Sequence, residues 1–277
     1  MELNDKAYRT TQPAGEWLVI EDDPLLQWAA SRGISPSVAQ VKALEQGIIP
    51  LRYIKNFSAM NIEEQIRICR GRVLVCGCGG LGGVVGGLLG RAGVGFIRLI
   101  DGDVFAPSNL NRQWFSEVRQ LDRPKALAGK ETILRANPLI DVEALQSWLD
   151  ASNIADVFQE VDLVLDALDN IRGRFLLAEE SRRHGIPYIH AAVSGWWGQI
   201  STFLPSSSLT LESIYGSRRL RDPEEDALGV LGPTAAVIGS MEALEALRIL
   251  AGRSAAYSDR LLYFDGESGQ TSLIPLR

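Results

Sequence analysis

A glycine-rich turn followed by an acidic residue is the first pattern in this 277-residue sequence that indicates chemistry. Gly77, Gly79, Gly80 and Gly82 form a G-x-G-x-x-G sequence between an apolar segment and a helix-length segment. Glycines there let the backbone approach a phosphate, which the positive end of the following helix stabilises. Asp101 follows Gly82 by 19 residues, a spacing typical of a carboxylate that binds a ribose hydroxyl. The pattern predicts a nucleotide site, with close helix–sheet packing as the structural alternative.

Two cations after Asp101 indicate phosphate chemistry rather than hydride transfer. Arg112 lies in the following loop and Lys125 at a predicted helix start, where both can meet a triphosphate held by the turn. Cleavage between the α- and β-phosphates builds negative charge on the departing pyrophosphate, which cations stabilise. Asp169 follows a predicted strand, at the edge where ligands bind in such sheets, and can hold Mg²⁺. A surface role for Arg112 and a helix cap at Asp169 are the alternatives.

Alternating strands and helices must position these residues. Short apolar segments separated by helix-length segments predict a parallel, doubly wound sheet, so the fold class is Rossmann-like α/β. The predicted strands of this part are residues 73–76, 96–100, 142–145, 163–165 and 186–192.

The two ends of the chain differ from this central pattern. Residues 198–204 alternate as in an antiparallel strand, and residues 260–275 predict a hairpin, so the sheet becomes mixed. Between them, residues 205–232 predict a long polar crossing segment. Residues 1–60 predict a helical appendage and residues 61–277 the nucleotide-binding domain. The appendage contains two predicted short helices, residues 24–30 and 36–46.

Composition excludes several classes of protein. With 46% hydrophobic residues the chain can form a sizeable core, which excludes disorder. A net charge of −6 argues against a nucleic-acid or anionic-membrane partner. Neither a signal peptide nor a membrane-spanning segment is apparent, so we expect a cytoplasmic protein. The three cysteines lie within ten positions, and we expect neither a disulfide framework nor a structural zinc site.

Glycines are also spaced along one face of the first helix of the predicted domain. Gly82, Gly86 and Gly90 recur every fourth residue, although each costs roughly 1 kcal/mol relative to alanine in a helix. Such a stripe predicts close approach of a neighbouring helix, either within the chain or from a second subunit.

In combination, these motifs resemble the ThiF/MoeB/HesA family, which is similar to the adenylating half of ubiquitin-activating enzymes. The resemblance covers residues 51–275 in unbroken order. It rests on Gly77-x-Gly79-Gly80-Leu81-Gly82, Asp101-x-Asp103, Ser108-Asn109-Leu110-x-Arg112-Gln113, Arg123-Pro124-Lys125 and Asp166-x-x-Asp169-Asn170.

The resemblance implies an ATP-dependent adenylyltransferase that uses Mg²⁺ and works as a homodimer. Its substrate would be the C-terminal glycine carboxylate of a ubiquitin-like sulfur carrier ending in Gly-Gly, as in molybdopterin or thiazole synthesis. The implied roles are catalysis for Arg112, Lys125 and Asp169, with Asp169 also serving Mg²⁺. Nucleotide binding is implied for Gly77, Gly79, Gly80, Leu81, Gly82, Asp101, Asp103, Asn109 and Gln113, and for Lys55 from across the dimer.

The sequence departs from the family pattern in two places. It lacks the cysteine nucleophile of relatives, and it differs from them in the segment that contains Arg52 and Lys55. Relatives place a cysteine in the crossing segment, but no cysteine follows Cys78 here. We therefore expect the acyl-adenylate to pass to a separate sulfur donor. Lys55 stands where relatives carry an arginine that reaches the partner's ATP, so its charge remains while the bidentate geometry is lost. Arg52 is the alternative residue for that role.

Three other functions remain open at this point. Within the same fold, the chain could be a dehydratase that adenylates the carboxylate of a modified tRNA nucleoside. From other classes, it could be a NAD-dependent oxidoreductase or a non-catalytic partner-binding module. ATP–pyrophosphate exchange stimulated by a protein ending in Gly-Gly would separate these hypotheses.

Overall fold

The N-terminal region combines a small sheet with three helices. The computed structural model describes residues 2–13, 15–217 and 228–277. In this region β1 and β2 are antiparallel, whereas β2 and β3 are parallel. The elements are β1 (Tyr8–Gln12), β2 (Gly15–Ile20), α1 (Asp22–Arg32), α2 (Pro36–Glu45), β3 (Ile48–Pro50) and α3 (Ile62–Arg70).

The predicted helical appendage is therefore corrected to a mixed α/β region. Both predicted helices are present as α1 and α2, but the three strands beside them were missed. β1 is largely exposed and β3 has only three residues, so neither shows the apolar alternation that predicts a strand. Buried Val19, Ile49 and Tyr53 pack in one cluster with Ile66 of α3, so this core extends past residue 60.

The remaining elements build one large sheet with helices on both faces. They are β4 (Arg72–Cys76), α4 (Gly80–Ala92), β5 (Phe96–Ile100), α5 (Lys125–Ala136), β6 (Asp141–Leu145), α6 (Ile154–Val157), β7 (Leu163–Asp166), α7 (Ile171–His184), β8 (Tyr188–Ser194), β9 (Trp197–Phe203), α8 (Glu212–Tyr215), α9 (Gly232–Leu250), β10 (Arg260–Asp265) and β11 (Gln270–Pro275).

The strand order β11-β10-β9-β8-β7-β4-β5-β6 confirms the predicted mixed sheet. Strands β4 to β8 pair in parallel, and β9, β10 and β11 continue the sheet in antiparallel pairs. The chain order reverses at β4, whose neighbours are β5 and β7. In such sheets the crevice at the carboxyl ends of the strands beside this reversal is where ligands bind.

The helices cover the sheet according to the alternation of side chains along its strands. On β4, Val73 and Val75 belong to the core beneath α4, α5 and α9. Leu74 and Cys76 point to the opposite face and join the core beneath α6 and α7. Burial on both faces explains why these strands are apolar throughout rather than alternating.

The glycine stripe of α4 is used for packing within the chain. A Cβ on Gly90 would lie 2.6 Å from Cγ2 of Ile133 on α5, and one on Gly86 would lie 3.3 Å from Phe115 and Ile133. This packing accounts for Gly86 and Gly90 without a second subunit. No helix within the described ranges is long and apolar enough to cross a membrane.

Candidate active site

The glycine turn joins β4 to α4 and is closed by direct backbone contact. Gly77 has a φ of +95°, and a Cβ there would lie 2.5 Å from the carbonyl oxygen of Ala167. A Cβ on Gly82 would lie 1.8 Å from the carbonyl oxygen of Gly77. The turn places Gly79 and Gly80, at the start of α4, in the lining of a large cavity. This helix N-terminus is therefore available to an anion.

We expect Gly82→Ala to destabilise the protein by at least about 2 kcal/mol, because its Cβ would overlap the turn backbone. Gly87→Ala is the matched control on the same helix, since its Cβ would meet only Phe115, at 3.9 Å. Relief of glycine's helix penalty should make Gly87→Ala stabilising by up to about 1 kcal/mol. Urea unfolding measures both, and equal stabilities for the two variants would contradict the tight turn.

Asp101 lies at the end of β5 and is held by two backbone donors. Its Oδ2 accepts a hydrogen bond from the N–H of Cys78 at 2.7 Å, and its Oδ1 accepts one from the N–H of Asp103 at 2.8 Å. Burial raises the pKa of Asp101, against the opposing effect of these hydrogen bonds. Each oxygen retains a second lone pair, so the fixed carboxylate is able to accept a sugar hydroxyl.

Lys125 and Asp103 form an ion pair in the cavity lining. The Lys125 side chain is only 8% exposed, and its Nζ lies 2.9 Å from Oδ2 of Asp103. Asp103 also anchors the start of α5, because its carbonyl oxygen accepts the backbone N–H of Lys125 at 2.9 Å. The ammonium group is thus held in place near the glycine turn, where an incoming phosphate would compete with Asp103 for it.

Arg112 and Gln113 come from the loop between β5 and α5, and both line the cavity. The Arg112 guanidinium donates to the carbonyl oxygen of Ser108 and to Oδ1 of Asn111, each at 2.9 Å. Gln113 is buried, and in the described part of the chain its Oε1 has no hydrogen-bond partner. A ligand donor would satisfy that oxygen, which is costly to leave unpaired.

Three predicted site residues lie outside the cavity lining formed by the described residues. Asn109 is buried, and its Oδ1 accepts the backbone N–H of Ala106 at 3.0 Å, so it orders the loop that carries Arg112. Gly82 packs under the turn as described above. Lys55 is exposed and donates to Gln12 at 2.9 Å, which leaves its predicted role across a dimer a prediction.

Arg52, the alternative to Lys55, is already engaged within its own chain. Its guanidinium pairs with Asp22 and donates to the carbonyl oxygen of Ala136 at 2.8 Å. These bonds tie the N-terminal region to the end of α5. A role for Arg52 in another subunit's cavity would require breaking both the ion pair with Asp22 and the hydrogen bond to Ala136.

Asp169 follows β7 and presents an exposed carboxylate in the cavity lining. The adjacent Asn170 caps α7, with its Oδ1 accepting the N–H of Gly173 at 2.7 Å. The helix cap predicted as an alternative for Asp169 is therefore supplied by its neighbour. One carboxylate together with phosphate oxygens is a ligand set typical of Mg²⁺, so the site fits that ion.

The cavity has a volume of about 850 Å³ and extends along the carboxyl ends of several strands. Its first half, over β4, β5 and β6, contains the glycine turn, Asp101, Lys125 and Trp148. Its second half, over β7, β8 and β9, contains Asp169 together with lining residues that are not among the predicted site residues. They are Arg174, Ala192, Val193, Ser194, Trp197, Gln199, Ile214, Tyr215, Leu228, Gly229, Val230 and Leu231.

A buried polar network around His190 lies behind this second half. His190 Nδ1 lies 2.9 Å from Oδ2 of Asp166, which also accepts the Tyr188 hydroxyl at 2.6 Å. The Arg174 guanidinium lies 3.6 Å from the same oxygen. Burial alone would raise the pKa of Asp166, but Arg174, His190 and Tyr188 hold it below its ordinary value. The signal for this network in the sequence was the presence of polar residues, Asp166 and His190, inside otherwise apolar strands.

Trp148 is a further lining residue that the sequence did not assign. It follows β6 and is 63% exposed, with its ring against Gly102, where a Cβ would lie 2.6 Å from the indole. An aromatic face beside Asp101 is suited to contact with a nucleotide base. No spacing rule marks a tryptophan in this loop, which is why the sequence did not predict it.

The three thiols are all buried and free. Burial raises the pKa of Cys69 to about 12 and raises that of Cys78 well above its ordinary value. They are therefore protonated at neutral pH, which suits a packing role rather than nucleophilic attack.

Glu242 on α9 is a fully buried carboxyl group close to the network. Among the described residues neither of its side-chain oxygens has a hydrogen-bond partner. Burial, and then the charge of Asp166, raises the pKa of Glu242 well above its ordinary value of 4.5. The group is protonated in the folded protein but ionised in the unfolded chain at neutral pH. Its contribution to stability is therefore present below about pH 4.5 and lost as pH rises.

We expect Glu242→Gln to become increasingly stabilising as pH increases. The unfolding free energy of the variant should gain about 1.4 kcal/mol per pH unit relative to the parent above pH 4.5, until the folded carboxyl ionises. Urea unfolding at pH 5 and pH 8 measures this difference. Glu267→Gln, at an exposed position in the last hairpin, is the control and should show no such trend. A pH-independent difference for Glu242→Gln would contradict burial of a neutral carboxyl.

The fold and the cavity define the class: a nucleotide-binding α/β enzyme of the Rossmann type. Residues 52–277 match the model of the ThiF family, and the chain belongs to that family. The protein named "SAMP-activating enzyme E1" of Haloferax volcanii is 33% identical over 221 residues, which are 78% of this chain and 80% of that protein. These findings confirm the family resemblance and identify an ATP-dependent adenylyltransferase.

Other relatives carry similar names, and a solved structure shares the fold. "Probable adenylyltransferase/sulfurtransferase MoeZ" of Mycobacterium tuberculosis is 32% identical over 85% of this chain. "Adenylyltransferase and sulfurtransferase MOCS3" of Xenopus laevis is 29% identical over 79% of it. The matches span 62% of MoeZ and 49% of MOCS3. Escherichia coli MccB, solved with ATP, shares the fold with a TM-score of 0.72 and 19% identity, covering 81% of this chain and 71% of MccB.

Proposed function

We propose that the protein adenylates the C-terminal glycine carboxylate of a small ubiquitin-like sulfur carrier, with Mg-ATP as co-substrate. The observation that carries this proposal is the continuous cavity, which has a phosphate-binding turn in one half and space for a chain end in the other. Lys125, Arg112 and Asp169 are among the charged groups that line that cavity. The names of the relatives MoeZ and MOCS3, and of the SAMP-activating enzyme, support a carrier of this type.

The chemistry requires a carboxylate to approach an anionic phosphorus atom. A carboxylate oxygen forms a bond to the α-phosphorus of ATP, and the bond to the departing pyrophosphate breaks. Lys125 and Arg112 are placed to offset the negative charge on the phosphates as it moves to the leaving group. Asp101 would hold the ribose, and Asp169 would hold Mg²⁺, which would supply neutralisation of phosphate charge. No general base is needed, because the attacking carboxylate is already ionised.

ATP–pyrophosphate exchange tests the adenylation step directly. We expect exchange to depend on a ubiquitin-like protein ending in Gly-Gly and to disappear when its two terminal glycines are deleted. The truncated carrier is the matched control, because it retains the folded body of the substrate. Equal exchange rates with the full and the truncated carrier, or absence of exchange with Gly-Gly carriers, would overturn the proposal.

We further propose that the acyl-adenylate is released to a separate sulfur donor. No cysteine follows Cys78 in the sequence, and the three cysteines present are buried. Trapping with a labelled carrier should therefore yield acyl-adenylate but no covalent, thiol-sensitive adduct with this chain. A thioester or acyl-disulfide adduct would contradict this step.

The predicted homodimer and cytoplasmic location remain parts of the same proposal. Residues 1–60 contribute nothing to the cavity lining that the structure describes, so we assign them to support of the domain at 61–277. In a homodimer, Lys55 would contribute its charge to the partner's nucleotide. Mixing Lys55→Ala with a site-inactive variant tests this, because a role across the interface predicts activity from only one of the two sites.

A further inference from the structure

The short helix α8 lies in the crossing segment and contributes Ile214 and Tyr215 to the cavity wall. None of the residues of α8 is buried, and a helix of four residues has little stability of its own. Leu211, just before it, is buried in the core beneath α7. Apolar contact thus secures one end of α8, and the position of the other end depends on Tyr215.

The Tyr215 hydroxyl is held by two strands at once. It lies 3.1 Å from Nε2 of His190 on β8 and accepts a hydrogen bond from the Gln199 amide of β9 at 2.9 Å. Its ring meets the edges of His190 and Phe175, with centroid distances of 5.5 and 6.4 Å. One side chain therefore ties the crossing segment to the floor of the cavity.

Charge and burial indicate which ring nitrogen of His190 carries the proton. Burial lowers the pKa of His190, so the imidazole is neutral, and the ionised Asp166 takes the proton-bearing Nδ1 at 2.9 Å. Nε2 is then the acceptor, and it lies 3.1 Å from the Tyr215 hydroxyl and 3.2 Å from the Gln199 amide nitrogen. Asp166 in turn is fixed by Arg174 and Tyr188. The ordered chain Asp166–His190–Tyr215 extends from the core to the cavity surface.

The same two strands carry the polar groups that a substrate chain would meet. Ser194, at the end of β8, is buried in the cavity lining, and within the described residues its hydroxyl has no hydrogen-bond partner. Gln199 and Trp197 of β9 line the cavity beside it. An extended peptide with small side chains can satisfy such an unpaired hydroxyl through its backbone.

We propose that Tyr215 is a positioning residue for the acyl substrate: by bonding His190 and Gln199 it fixes α8 as the wall against which the carrier's C-terminal chain lies. The proposal rests on the adenylation function proposed above. It assigns to a polar anchor the position of α8 within the crossing segment. Because the anchor acts in the half of the cavity away from the glycine turn, its loss affects the carrier and not the nucleotide.

The test is steady-state ATP–pyrophosphate exchange by Tyr215→Phe, which keeps the ring and removes the hydroxyl. We expect the KM for the Gly-Gly carrier to rise at least about five- to tenfold, because both hydrogen bonds of the hydroxyl are lost, with the KM for ATP unchanged. Tyr263→Phe is the matched control: Tyr263 stacks on Trp197 with centroids 6.1 Å apart, and the ring remains. Equal increases in both KM values for Tyr215→Phe, or no increase, would overturn the inference.

Hydrogen exchange separates this inference from the proposed function. Without any substrate, Tyr215→Phe should accelerate amide exchange in residues 212–217 and leave the glycine turn and α4 unchanged. If the parent protein exchanges pyrophosphate but the variant has an unaltered KM for the carrier, only the positioning role is wrong. If the parent shows no exchange with any Gly-Gly carrier, the proposed function and this role both fail, whereas faster amide exchange would still establish the anchor.

Discussion

Asp169→Asn is expected to lower the rate of carrier-dependent ATP–pyrophosphate exchange by about 100- to 1000-fold. The amide is nearly the same size but carries no charge, so it cannot hold Mg²⁺ against the phosphates. ATP binding should change much less, because the glycine turn, Asp101 and Lys125 lie in the other part of the lining. The loss should therefore appear in kcat rather than in the dissociation constant for ATP.

Asp156→Asn provides the control for this substitution. Asp156 is an exposed residue of α6, outside the cavity lining that the structure describes, and we expect parental kinetics. Asp169→Asn with undiminished exchange would remove the carboxylate from the mechanism. A large loss of ATP affinity instead would indicate that Asp169 binds the nucleotide rather than acting in the transition state.

Arg174→Met should destabilise the protein by about 3–5 kcal/mol, the effect of leaving a buried charge without its partner. Arg174 and Asp166 are both almost inaccessible to solvent, with side chains 8% and 0% exposed. The guanidinium also donates to the carbonyl oxygens of Ala191, at 2.8 Å, and of Leu168. Methionine fills a similar volume but satisfies none of these acceptors. The midpoint of urea unfolding, with an unchanged slope, measures the loss.

Arg172→Met, on an exposed position of the same helix, should change stability by less than about 0.5 kcal/mol. Adding Asp166→Asn to Arg174→Met should restore part of the loss, because the uncompensated charge is then gone. If the double variant is as unstable as the sum of the single ones, the two groups are not coupled, and the packing of the guanidinium explains the effect instead.

The central fold was predictable because its strands are buried on both faces and its helices end at glycine or proline. The predicted strand at residues 96–100 is β5, and the one at residues 73–76 begins one residue late. Strands β1 and β3 were missed because the first is exposed and the second has three residues. Their pairing depends on contacts with distant residues, which a local pattern does not contain.

The nucleotide half of the cavity was predictable for the same reason: its residues belong to continuous motifs with a fixed geometry. Gly77, Asp101 and Lys125 all occur in the lining. Asn109 does not, because its side chain caps a turn of its own loop. The second half depends on register, since pairing of β7 with β8 sets Asp166 beside His190, 24 residues apart.

The burial of all three cysteines makes this chain a favourable host for chemical labels. Cys69, Cys76 and Cys78 lie in the core, and burial raises the pKa of each thiol. A single cysteine introduced at Glu212, an exposed position of α8, would react with maleimides far faster than the native thiols. A fluorophore attached there, without removal of any native residue elsewhere, would report the arrival of a carrier in real time.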